Sequence, residues 1–213
     1  MEPGDFVITP SWTWHHHGHE GSGPMVWLDG LDIPLTHFFG STFREDHHDD
    51  EAAVTRPTGD ALARYGSGLL PVGYRHGSLN SPVFNYPYAR TREALHALAQ
   101  AGAPDAHAGH LMRYVNPIDG GWAMPTMATM IRLLPRGFAT QPYRSSDSQV
   151  FVVVDGQGEL RVGAQRLSMQ PHDVLVVPGW MAYTLHASDA LVVFSYSDRV
   201  AQEKLGLWRE QRH

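Results

Sequence analysis

The 213-residue chain contains no cysteine, which excludes disulfides, thiolate metal sites and cysteine nucleophiles. No apolar stretch approaches the roughly 18–20 residues of a membrane span. The opening MEPGDFVITP has neither the basic nor the apolar region of a signal peptide. Lys and Arg never cluster, and 16 basic against 22 acidic residues give a net charge of −6, the wrong sign for a nucleic-acid backbone. These absences leave a cytoplasmic protein, without membrane or nucleic-acid partners, as the expectation.

Turn formers are plentiful, with 21 Gly and 15 Pro, which favours many short strands over long helices. Strand-like runs occur at 127–134, 149–155, 158–162, 173–177 and 190–196, separated by turn signals such as Asp155-Gly156 and Pro178-Gly179. Such spacing predicts an antiparallel β-sandwich or barrel. Thr91 to Ala101 reads as a linker helix, with Thr91 as N-cap, Leu95 and Leu98 on its apolar stripe, and Gly102 ending it. The tail from Asp198 to Arg212 reads as a second amphipathic helix with Val200, Leu205 and Trp208 inward.

Histidine is in excess, 14 in all, and His15, His16, His17 and His19 fall within PSWTWHHHGHE at 10–20. The run is internal, interrupted and flanked by tryptophan and glycine, unlike an expression tag. Strand-like segments DFVIT (5–9) and PMVWLDGL (24–31) lie on either side. A second His/Asp-rich stretch, Glu45 to Glu51, has metal-binding donors but reads as a solvated connection without preorganised geometry.

An internal repeat links the two ends of the chain. DFVITPSWTWH (5–15) and DVLVVPGWMAY (173–183) share one pattern: Asp, four mostly apolar residues, Pro, any residue, Trp, two residues, then His or Tyr. PMVWLDGLD (24–32) likewise parallels ALVVFSYSD (190–198). Two strands joined by a Pro-x-Trp turn therefore occur twice, which predicts a duplicated β-unit. The copies differ where the first has His15 and the second Tyr183; imidazole is the commoner metal ligand. Trp12 and Trp180 recur at equivalent positions and read as packing residues.

Gly4, Pro10 and His15 fill the second sequence motif of cupins. More narrowly, GDFVITPSWTWHHHGHEG and PMVWLDGLDIPL resemble gentisate 1,2-dioxygenases and the related salicylate dioxygenases. So do RYGSGLLP (64–71), NYPYARTREAL (85–95), MRYVNPIDGGWAMPT (112–126) and FSYSDRVAQEKLGLWRE (194–210). The resemblance implies an all-β bicupin of jelly-roll barrels. Residues 1–36 would be the C-terminal part of the first barrel, 37–125 a linker, 126–198 a second barrel, and 199–213 a C-terminal helix. It also implies a homo-oligomer that uses Fe(II) and O2 to open gentisate to maleylpyruvate. Three histidines hold the iron, two from an upstream His-x-His and the third matched by His15. His17 matches a histidine close to the substrate, and Asp29 an acidic residue lining the same pocket. His16 and His19 read as exposed or loop-stabilising.

Imidazole ligands suit this chemistry because they leave an Fe(II) site open to an anionic bidentate substrate and O2. Residues one and three of an extended segment share a face, so His15 and His17 can both face inward. The family pattern is incomplete here. Only three residues precede Gly4, and no His-x-His occurs outside the 15–19 run. The expectation is an N-terminally truncated chain with impaired activity. In the second barrel, Pro142, Tyr143 and Arg144 stand where His-x-His would be, Gln149 near the usual Glu, and Tyr183 at the last His, so it is expected to bind no metal. The alternative reading is a non-catalytic cupin serving structure or small-molecule binding; salicylate or 1-hydroxy-2-naphthoate are alternative substrates.

Overall fold

The computed structural model describes residues 1–49, 53–75 and 77–212, so Asp50 and Glu51 of the acidic run lie outside the described residues. The chain begins with strand β1 (Phe6–Val7), helices α1 (Ile33–Phe38) and α2 (Asp60–Tyr65), strand β2 (Asn85–Tyr86) and helix α3 (Tyr88–Ala101). From there it is mostly strand: β3 (His110–Arg113), β4 (Ala128–Leu134), β5 (Tyr143–Ser145), β6 (Gln149–Asp155), β7 (Gly158–Val162), β8 (Gln165–Met169), β9 (Val174–Val177), β10 (Tyr183–Ala187) and β11 (Leu191–Ser197). Helix α4 (Arg199–Lys204) and strand β12 (Glu210–Arg212) complete it.

The later strands form two five-stranded antiparallel sheets, ordered β12-β5-β10-β7-β8 and β3-β4-β11-β6-β9. β6 alternates buried and half-buried residues, and β9 alternates exposed and buried ones, so each presents one face to the interior. A core of Phe151, Leu160, Met169, Leu185, Leu191 and Val193 fills the sandwich. β4, ATMIRLL, is buried at every position because its opposite face is covered as well. There Ile131 and Leu133 join a second core with Ile8, Leu95 and Tyr114. That second core fastens α3 and the N-terminal strand to the back of the barrel.

Several sequence-based boundaries move. The interior helix starts at Tyr88 with Pro87 at its cap, three residues before Thr91; proline's fixed φ and missing N–H suit a helix start. The expected linker supplies β3, which pairs with β4 from His110 to Arg113, so the second barrel's sheet begins before residue 126. The tail is not one helix. It turns out of α4 at Gly206 (φ +70°), and Glu210–Arg212 pair with β5. Trp208 is pinned at this reversal: its Nε1 donates to Asp147 Oδ1 at 2.9 Å, and the Arg199 guanidinium lies 3.7 Å from its ring centroid. Tertiary pairing outweighs the helical pattern there.

The repeat extends further than the sequence pattern. Gly4 and His172 both have positive φ (86° and 76°), as do Trp12 and Trp180 (63° and 64°). The Glu2 and Gln170 backbone N–H groups donate to Asp5 and Asp173 carboxylates, each at 2.9 Å. α1 and α4 are both six residues long and follow Asp32 and Asp198. The copies diverge in pairing. β11 is bonded between β4 and β6, whereas residues 24–31 form no strand and β1, among the described residues, pairs with β2 alone. Without neighbours to complete a ladder, an extended segment is not held as a strand.

Asp105 ties the last strand down. Its carboxylate accepts from the backbone N–H of His107 (2.8 Å) and Ala108 (3.0 Å) and pairs with Arg212 at 3.3 Å. Partial burial opposes ionisation, but the N–H donors and the Arg212 charge outweigh it and hold the carboxyl below its ordinary value. A carboxyl lowered by folding adds stability above its unfolded pKa, about 3.9, and loses it as the pH falls through the folded value. Between pH 6 and pH 3 the wild type should therefore lose more Tm than Asp105→Asn, the gap narrowing at the acid end.

Candidate active site

The first Pro-x-Trp turn leads into a histidine run that is exposed throughout. Thr13 Oγ1 donates to the Pro10 carbonyl at 2.5 Å, closing the turn beneath Trp12. His15 and His17 lie side by side, with ring centroids 5.6 Å apart and planes at 80°. His17 also stacks on Trp27, at 4.9 Å and 20°. Sequence reasoning missed Trp27 as a neighbour of His17; the signal available was its place in the segment that repeats β11. Both histidines are exposed, as are His16 and His19.

Asp29 is exposed too, and neighbouring groups anchor its segment to the barrel. Gly30 lies against the Tyr196 ring, where a Cβ would stand 3.0 Å from two ring carbons. Two residues on, Thr126 Oγ1 donates to Asp32 Oδ2 at 2.7 Å. Asp29 has no hydrogen bond among the described residues. The surrounding surface is strongly apolar: Trp12, Val26 and Phe38 are 83%, 88% and 80% exposed. Trp12 meets the Phe43 ring at 5.4 Å, while the ring of its counterpart Trp180 is met by the guanidinium groups of Arg144 (4.6 Å) and Arg209 (4.2 Å).

The donor chemistry at His15 and His17 fits a divalent iron, but the donor count does not. No third imidazole or carboxylate joins them among the described residues, and open catalytic sites need about three protein ligands. The one such trio there is His47, His48 and Asp49, whose ligand atoms lie within 4.8 Å of one another. Their bonds are mutual: His48 Nε2 meets Asp49 Oδ2 at 3.0 Å, and the Asp49 N–H donates to His47 Nδ1 at 3.1 Å. His47 also sets an edge-on ring contact with Trp14 at 5.1 Å, so this loop rests on the histidine run.

In the second copy, Tyr183 is buried at His15's position. Its hydroxyl donates to Gln149 Oε1 at 3.4 Å, and Gln149 Nε2 donates to Ser145 Oγ at 3.1 Å. An apolar-lined hollow of about 430 Å³ lies elsewhere, against α3, and is walled by Tyr65, Tyr86 and Tyr114. Burial pushes the Tyr86 and Tyr114 hydroxyls up to about 12, and the Tyr86 hydroxyl donates to the Val115 carbonyl at 2.7 Å.

No family model matches the sequence. Among curated proteins, gentisate 1,2-dioxygenase 1 of Aquipseudomonas alcaligenes is 50% identical over all 213 residues. The chain is similar to gentisate 1,2-dioxygenases along its whole length. The 5-aminosalicylate 1,2-dioxygenase of a Comamonas species is 33% identical, again over the whole chain. The salicylate 1,2-dioxygenase of Pseudoaminobacter salicylatoxidans superposes with a TM-score of 0.90 at 30% identity, over 100% of this chain and 62% of that one. A variant of the same enzyme in complex with gentisate gives a TM-score of 0.87. The all-β cupin fold is therefore shared with a ring-cleaving dioxygenase. The chain spans about 60% of the length of these relatives: 61% and 57% of the two curated proteins.

Proposed function

We propose that this chain is part of an Fe(II)-dependent dioxygenase that opens the ring of gentisate with O2 to give maleylpyruvate. The observation that carries the proposal is the 50% identity to a gentisate 1,2-dioxygenase over every residue of the chain. Fe(II) would supply the centre at which an anionic aromatic substrate and O2 meet. His15 would be this chain's contribution to a set of three imidazole ligands. His17, held flat against Trp27, stands beside it to exchange a proton with a ring hydroxyl of the substrate. Asp29 orients the same substrate as a hydrogen-bond acceptor.

The other two imidazoles belong to a part of the enzyme outside these residues. The exposed Trp12, Val26 and Phe38 accord with further protein packing on this face. Alone, the 213 residues hold iron weakly: after anaerobic Fe(II) loading and desalting, well under one iron per chain should remain. Stoichiometric iron and fast gentisate turnover by the isolated chain would contradict the proposed ligand set. The competing reading, a metal-free cupin binding a small molecule, draws on the Gln149 and Tyr183 pair in the complete barrel. Oxygen uptake separates them. The dioxygenase consumes one O2 per gentisate when all three imidazoles are present, and the binding module consumes none.

A further inference from the structure

The interior of the complete barrel holds a guanidinium with no ion pair among the described residues. Arg132 interrupts the apolar β4 sequence ATMIRLL, is 2% exposed, and has an enclosed Nε with no hydrogen-bond partner. No ion pair reaches its guanidinium among the described residues. Asp147 is the one carboxylate among the buried described residues; its Oδ1 accepts from Trp208, its Oδ2 is unpartnered, and neither pairs with Arg132.

The strand register fixes what surrounds the guanidinium. Arg132 pairs with Val193, and Ser195, two residues along β11, pairs with Phe151. Arg132, Ser195 and Phe151 therefore share the inward face. The guanidinium carbon lies 5.0 Å from the Phe151 ring centroid. Ser195 is fully buried and its hydroxyl also lacks a partner. On the far side of Phe151 stands Tyr183, with ring centroids 5.4 Å apart, bonded to Gln149.

A cation over one phenyl ring recovers only part of the cost of leaving water. A buried guanidinium whose Nε is unpartnered and a buried unpartnered hydroxyl lie on one face, two hydrogen-bond donors that a single acceptor could serve. Interiors pack near crystal density, which limits that acceptor to a few atoms. We propose that a small monovalent anion, the size of chloride or formate, binds inside the second barrel between Arg132 and Ser195. The second barrel would then hold a halide or small-carboxylate site, beside the position where Tyr183 replaces the first copy's His15.

Thermal melting of the full 213-residue chain tests this, with sodium formate titrated against sodium gluconate at equal ionic strength. The expected result is a saturable rise in Tm with formate alone, roughly 5–10 °C at a hundredfold excess over Kd. Arg132→Met should abolish the response, and Ser195→Ala should weaken the apparent Kd several-fold. Should Arg132→Met fail to fold, crystals grown in bromide decide: an anomalous peak is expected beside the Arg132 guanidinium. Identical melting in formate and gluconate, an undiminished formate response in Arg132→Met, or a bromide-free interior would overturn the proposal.

Discussion

Replacing His15 by Ala should lower gentisate-dependent O2 uptake by more than about 100-fold, beyond what is typical for residues that merely support a metal ligand. The suitable background is a chimera in which these 213 residues replace the matching segment of the Aquipseudomonas enzyme, which they resemble at 50% identity. The same substitution should cut bound iron after desalting, because a site left with two imidazoles releases the metal more readily. His17→Ala should behave differently. Its ring is 5.6 Å from His15 and stacks on Trp27, so iron should stay bound while kcat falls by about 10²–10⁴-fold, the range for loss of a positioned acid or base. His16→Ala is the control and should change either quantity less than about threefold. Equal iron loss in His15→Ala and His17→Ala would merge the two roles and contradict their separate assignment.

The largest stability effect should come from Gly156→Ala. Asp155-Gly156 is the corner where the chain leaves β6 in one sheet for β7 in the other. Gly156 has φ +80°, a region that L side chains rarely adopt. An added Cβ would stand 1.8 Å from the Ala190 carbonyl oxygen and 2.9 Å from Leu191 Cα. These are backbone atoms at the start of β11, the strand paired with both β4 and β6, so no side-chain rotation relieves the clash. Backbone strain and displaced pairing together should cost on the order of 4 kcal/mol or more, measured as a collapse of Tm or as insoluble expression. Gly137→Ala is the comparison. It too has positive φ (78°) but nothing within 4 Å of its Cβ, so its cost should be about 1–2 kcal/mol.

How much was readable in advance follows from where pairing is local. The β6, β7, β9 and β11 runs carry their own alternation and turn residues, and they appear within a residue or two of the expected limits. The tail failed because Val200, Leu205 and Trp208 fit a helical stripe, while the pairing of Glu210–Arg212 with β5 depends on residues some 65 positions away. Residues 24–31 failed for the opposite reason. Their sequence matches β11, but β11 is a strand because β4 and β6 flank it, and no such neighbours flank 24–31.

The candidate site was legible as a motif more than as a geometry. The Pro-x-Trp-x-x-His pattern located His15, and the two-residue spacing placed His17 beside it. The stacking of His17 on Trp27 crosses a ten-residue loop and has no periodic signature. Arg132 passed within the strand-like run 127–134 without being singled out, and its missing partner emerges only from the packed sheet.

Oxygen uptake by the iron-loaded chimera with gentisate tests the proposed activity most directly. The expected result is one O2 consumed per gentisate with maleylpyruvate as product, lost in His15→Ala. A chimera that folds, retains iron and consumes no O2 with gentisate would contradict it.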